Sequence, residues 1–277
     1  MRRSIIRALP SLVLCLLPVV AAAADLGFLR DDTEVKRLDT AALRAGCAER
    51  TISVDDPYYE GRRTYRVCPL RTVIEQGFGV PLASLAGSDV VFRALDGYTR
   101  PTTIERLSED GAWLAFSDAT LPDGFAPMGP RAIDPGPFYV VWTGDGQRDP
   151  HVYPWPYQLA SIEVVHLDER WTHIKPVGLP DDAPAWAGFG IFRRECIACH
   201  SVNSEGGTVG PDLNIPQSVV EYRQADQLKA YIRNPATFRY GGMPSHEHLS
   251  PTDLDALIAY FTAMRDRKHD PRRGSGG

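Results

Sequence analysis

Short runs of β-branched and aromatic residues, broken by turn residues, occupy the chain from about residue 50 to 165. Six of them, at 50–54, 64–67, 89–95, 113–116, 138–142 and 159–165, read as strands. Only Thr40–Ala45 and residues 70–77 carry short helical patterns there, so this region is expected to be α+β with a mixed or antiparallel sheet. From residue 184 the period changes. Residues 186–195 read as a helix that sets Gly188, Phe192 and Cys196 one turn apart on one face. Residues 252–264, introduced by Ser250 and Pro251, place Leu254, Leu257, Ile258 and Phe261 on a single stripe. Between the two patterns, Pro176, Pro180 and Pro184 punctuate a stretch with little periodicity, expected as a semi-rigid linker. The expected layout is an α+β domain at 25–167, a Pro-rich linker at 168–183, an all-α domain at 184–268 and a flexible tail at 269–277.

The first 24 residues read differently: Arg2, Arg3 and Arg7, an apolar run at 12–20, then alanines 21–24. That is the layout of a cleaved signal peptide, with an uncleaved anchor as the alternative. Leu14 before Cys15 speaks against lipoprotein processing. No second run of that kind occurs, so no membrane insertion is expected after cleavage, and the expected location is the periplasm. The net charge of −5 has no basic cluster behind it, and cleavage would make the chain more acidic, so nucleic acid is excluded as a partner.

Of the five cysteines, Cys196 and Cys199 sit in Cys196-Ile197-Ala198-Cys199-His200. This is the C-x-x-C-H pattern of c-type haem attachment. Two thiols at that spacing can each form a thioether to one porphyrin, and the next histidine is then held beneath the iron. A thiol–disulfide motif or half of a zinc site is the competing reading. Cys47 and Cys68, in an oxidising compartment, are expected to form a structural disulfide, with free thiols or thiolate ligation of a metal as the alternatives.

The surroundings favour haem. Gly206 and Gly207, then Gly210-Pro211-Asp212-Leu213, then Gly241-Gly242-Met243-Pro244 follow the motif in order. With Gly188 and the last helix, they make residues 184–266 resemble a class I monohaem cytochrome c domain. The resemblance implies one covalent haem c, anchored by Cys196 and Cys199, with His200 and Met243 as axial iron ligands. It also implies that Pro211 offers its carbonyl to the His200 ring, and that Gly188 lets the first helix cross the last near Tyr260 and Phe261. His246 and His248 are the rivals to Met243. Tyr231, Arg233, Asn234, Arg239 and Tyr240 are candidate propionate contacts, or solvated surface residues.

A weaker resemblance covers residues about 45–166. The strings Val54-Asp55-Asp56-Pro57, Thr64 to Leu70, Val91 to Tyr98 and Gly136 to Trp142 are similar to a small sulfite-oxidase-type, molybdopterin-binding-like domain. No set of basic and histidine residues for the cofactor phosphate is found, so molybdopterin is not expected, and Asp96-Gly97-Tyr98 reads as turn architecture. The combined expectation is an electron carrier rather than an enzyme. It would pass single electrons from a dehydrogenase-type donor to a cytochrome or oxidase acceptor, with the N-terminal domain as docking module. A self-contained haem oxidoreductase, possibly with molybdenum, and a haem-based sensor or assembly factor are the alternatives.

Overall fold

A computed structural model describes residues 24–273. All but the last residue of the expected signal peptide, Cys15 included, and the last residues of the expected tail lie outside the described residues.

The chain opens with β1 (Asp25–Arg30) and β2 (Thr33–Asp39), a hairpin the hydrophobic pattern did not announce. Helix α1 (Thr40–Ala45) follows, its first turn capped by the Asp39 carboxylate, which accepts from Ala42 N. Then come β3 (Arg50–Asp56), β4 (Gly61–Pro69), α2 (Leu70–Phe78), β5 (Asp89–Ala94), β6 (Thr99–Thr103) and α3 (Ile104–Ser108). Strands β7 (Ala112–Asp118), β8 (Tyr139–Trp142) and β9 (Leu159–Val165) complete the region, and all six expected strands form.

These strands make two sheets. One has the order β2-β1-β9-β5-β6 and is mixed, because β1 runs parallel to β9 while the other pairs are antiparallel. The other, β3-β4-β7-β8, is antiparallel throughout. Apolar residues of both converge on one core that includes Leu26, Phe28, Val67, Phe92, Leu114 and Trp142. Phe28 meets Phe78 of α2 edge to face at 5.5 Å. Cys47 and Cys68 are disulfide-bonded across a sequence separation of 21, with Cys68 fully buried. Among the polar groups buried in this region, two acids are held by several donors each. Asp56 accepts from the Tyr65 and Tyr139 hydroxyls at 2.8 and 3.0 Å, and Glu163 is gripped by Arg93 and Arg170.

A second core gathers the C-terminal helices. Helix α4 (Leu167–Arg170) leads to α5 (Pro184–Ile191), which continues as a π-helical turn, Phe192–Cys196, rather than the uninterrupted helix expected from the sequence. A two-residue ladder pairs β10 (Ser201–Val202) with β11 (Glu205–Gly206). Helices α6 (Val219–Tyr222), α7 (Ala225–Arg233) and α8 (Pro251–Arg265) follow, with Ser250 and Asp253 forming a capping box on α8. Phe192, Leu257, Tyr260 and Phe261 are buried in this core. Trp171 and Ile174, from the stretch expected as a linker, are buried in it too, and the Tyr260 hydroxyl donates to the Ile174 carbonyl at 2.8 Å. That stretch is therefore packed onto the helices.

Among the described residues, no helix is long and apolar enough to cross a membrane.

Candidate functional site

The π-helical turn delivers Cys196 to the start of a tight loop, where His200 N donates back to the Cys196 carbonyl at 2.9 Å. The loop then folds under itself. Gly207 N donates to Ile197 O at 2.8 Å and Gly210 N to Cys199 O at 2.7 Å. This brings the glycine-rich segment against the motif. A Cβ on Gly210 would lie 2.3 Å from Cε1 of His200, so a side chain there would displace the ring.

The His200 ring faces the loop that follows the motif. Its Nδ1 lies 2.8 Å from the carbonyl oxygen of Pro211. That oxygen can only accept, so Nδ1 carries the proton and Nε2 keeps its lone pair. Burial lowers the pKa of the imidazole, against the opposing pull of the Pro211 bond. Cys196 and Cys199 are free and half-buried, and burial pushes both thiols up. A thiol–disulfide motif depends on a depressed cysteine pKa, so this environment argues against that competitor.

Beside Cys199 lies a cavity of about 590 Å³. Val209, Gly242 and Pro244 line it from the C-terminal region, and Tyr58, Tyr98, Arg131, Trp155 and Tyr157 line it from the N-terminal region. Met243, between two of these lining residues, packs partly buried against the C-terminal core. Of the residues singled out in the sequence, Cys199 lines this cavity, His200 is bonded to Pro211, and Cys196 and Met243 pack against the C-terminal core. The candidate propionate contacts are less gathered. Tyr240 is fully exposed, Arg239 Nε donates to the Tyr231 hydroxyl, and Asn234 donates to Glu247.

The N-terminal wall of the cavity was not legible in the sequence. Asp96-Gly97-Tyr98 is a turn, as expected, with Tyr98 N donating to Asp96 Oδ1 at 2.9 Å. It also forms a seam between the regions: Thr208 N donates to Gly97 O at 3.0 Å, and Thr99 N to Ala198 O at 2.8 Å. Arg100, only 6 % exposed, adds a bond from Nη1 to the Arg194 carbonyl at 2.9 Å and another to the His151 carbonyl. Met128, remote from the motif in sequence, lines the same cavity. Nothing in a turn tripeptide or a lone methionine signals which surface it will face.

Residues 183–261 match the family model described as cytochrome c oxidase, cbb3-type, subunit III. This segment is a cytochrome c domain, and its cofactor is a c-type haem. The chain is 38 % identical over 88 residues to a lupanine 17-hydroxylase [cytochrome c] of a Pseudomonas species, covering 30 % of this chain and 11 % of that protein. It is 33 % identical over 100 residues to a thiosulfate dehydrogenase of Thiomonas intermedia, covering 34 % and 31 %. It is 30 % identical over 93 residues to cytochrome c oxidase subunit 2 of Alkalihalophilus pseudofirmus, covering 31 % and 27 %. The chain therefore spans less than a third of the length of each of these relatives.

Proposed function

We propose that this c-type cytochrome is a periplasmic monohaem carrier that passes single electrons between a dehydrogenase-type donor and a downstream acceptor. The observation that carries the reading is the His200–Pro211 bond at 2.8 Å beside two free thiols and a cavity of about 590 Å³. The residues fit a haem: two unpaired cysteines at thioether spacing, an imidazole whose Nε2 is left with a free lone pair, and a glycine cradle that a Cβ would fill. A bound haem supplies a one-electron couple. Cys196 and Cys199 would hold the ring by covalent bonds, and His200 would offer Nε2 to the iron in the tautomer that Pro211 fixes. Met243 would provide a thioether as the second axial ligand, a donor set that raises the reduction potential.

The N-terminal region contributes Tyr58, Tyr98, Arg131, Trp155 and Tyr157 to the cavity wall, which favours a cover over the cofactor as well as a docking surface. Water kept from the cavity lowers the reorganisation that accompanies electron transfer. For this region we infer a cofactor-free relative of the sulfite-oxidase-type fold. The Cys47–Cys68 bond supports that reading, because it engages both sulfurs that could have served as thiolate ligands.

The reading is tested by redox titration and metal analysis of the purified full chain. A reversible one-electron couple, one iron per chain and slow carbon monoxide binding are expected. Stoichiometric molybdenum would favour the self-contained oxidoreductase, and rapid carbon monoxide binding would favour the sensor.

A further inference from the structure

One residue before the first motif cysteine, the Glu195 carboxylate lies at the seam between the two regions, its side chain 4 % exposed. Three imidazoles surround its Oε2: His248 Nε2 at 3.3 Å, His151 Nδ1 at 3.4 Å and His246 Nδ1 at 3.9 Å. The ligand atoms of Glu195, His246 and His248 all lie within 4.8 Å of one another. His246 is 5 % exposed, and its buried Nδ1 makes no hydrogen bond. Burying such a group without a partner is costly, so its presence here calls for a ligand.

We propose that Glu195, His246, His248 and His151 form a site for a divalent transition ion of the zinc–copper(II) class, bridging the N-terminal region and the cytochrome segment. Zinc bonds to histidine nitrogen and carboxylate oxygen of about 2.0–2.2 Å place tetrahedral ligands roughly 3.3 Å apart. The spacings around Oε2 approach that edge before any ion draws the side chains in. Three nitrogens and one oxygen suit a borderline ion and disfavour magnesium or calcium, which take oxygen-rich sets.

The surrounding shell orients the ligands as a built site requires. Arg194 Nε holds Oε1 of Glu195 at 2.6 Å, leaving Oε2 to the imidazoles. Arg100 is hydrogen-bonded to the carbonyls of both Arg194 and His151, which fixes the N-terminal histidine beside the cytochrome residues. His246 N donates to the Arg233 carbonyl at 3.0 Å, anchoring the buried ring to the end of α7. Burial lowers the pKa of His246, against the opposing pull of the Glu195 carboxylate. At Glu195 burial acts to raise the pKa, but Arg194 and the imidazoles outweigh it and hold the group ionised.

The test is calorimetric titration of the haem-loaded full chain with zinc chloride, after removal of adventitious metal by chelator and exchange into chelator-free buffer. One saturable site per chain is expected, with no comparable response to magnesium. Glu195→Gln, His248→Ala and His151→Ala should each weaken zinc binding at least tenfold while leaving the haem spectrum unchanged. His248 and His151 are exposed on the surface, so these two variants keep the test open should Glu195→Gln misfold. His173→Ala, at the separate His173–Glu205 pair, should leave the affinity unchanged. Absence of saturable binding, or wild-type affinity in any of the three cluster variants, overturns the proposal.

Discussion

A Cβ on Gly188 would stand 2.0 Å from the carbonyl oxygen of Ala256, so α5 and α8 cross with backbone against backbone at this point. Tyr260 packs on the same crossing, with its Cβ 2.8 Å from the same imagined atom. Neither neighbour can move aside without shifting a helix. Gly188→Ala should therefore cost about 1–3 kcal/mol through overpacking, read as a lower midpoint in chemical denaturation followed through the helical signal. An unchanged midpoint would mean that the crossing is looser than the structure shows.

The disulfide ties the loop after α1 to the buried end of β4. In the chain-entropy model, closing a loop of this size stabilises by about 3 kcal/mol. Replacing Cys47 and Cys68 together with alanine should lower stability by that order in urea unfolding, and should leave haem attachment intact. Two titratable thiols in unreduced, denatured protein would contradict the bond itself.

Glu163 is fully buried at the centre of the mixed sheet, yet Arg93 and Arg170 reach it at 2.6 and 2.7 Å from partly exposed positions. Its Oε1 also accepts from Asp32 N at 2.7 Å, so it pins the β1–β2 turn. Glu163→Gln should destabilise by about 1–3 kcal/mol, less than the loss of a fully enclosed ion pair because both arginines keep contact with water. Thermal unfolding at low and high salt checks this: the loss should change little with ionic strength, since the carboxylate is not screened.

How far the sequence carried depended on what each element buries. Strands β7, β8 and β9 sit over the core and are apolar, so their pattern announced them. Strand β2 is an edge strand, almost wholly exposed and rich in charge, and carries no alternation to read. Strand β6 is the opposite edge and contains Pro101, which a sequence reading counts against a strand. At the site, Cys196, Cys199 and His200 could be picked out from the C-x-x-C-H spacing, and Pro211 and Met243 only through the resemblance to cytochrome c domains. Tyr58, Arg131 and Tyr157 could not, because their place on the cavity wall follows from how two regions distant in sequence meet. The same limit hid Glu195 and His151, which lie far apart in sequence and 3.4 Å apart in space.

Met243 bears on whether the chain carries electrons or senses ligands. Met243→Ala should lower the reduction potential and open the ferrous protein to carbon monoxide, since a thioether favours the reduced iron and blocks the sixth position. His246→Ala and His248→Ala should leave the sulfur–iron charge-transfer band intact. An unchanged spectrum in Met243→Ala, with loss of the sixth ligand in a histidine variant, would make the iron bis-histidine.

The central claim is that Cys196 and Cys199 bind one haem covalently above His200, and the mass of the denatured protein tests it most directly. Intact-mass measurement after acid–acetone extraction should show the full chain heavier by one haem. The added mass should vanish in the variant carrying both Cys196→Ala and Cys199→Ala. A wild-type chain that gives up its haem to the solvent, or a double variant that keeps it, would contradict the account.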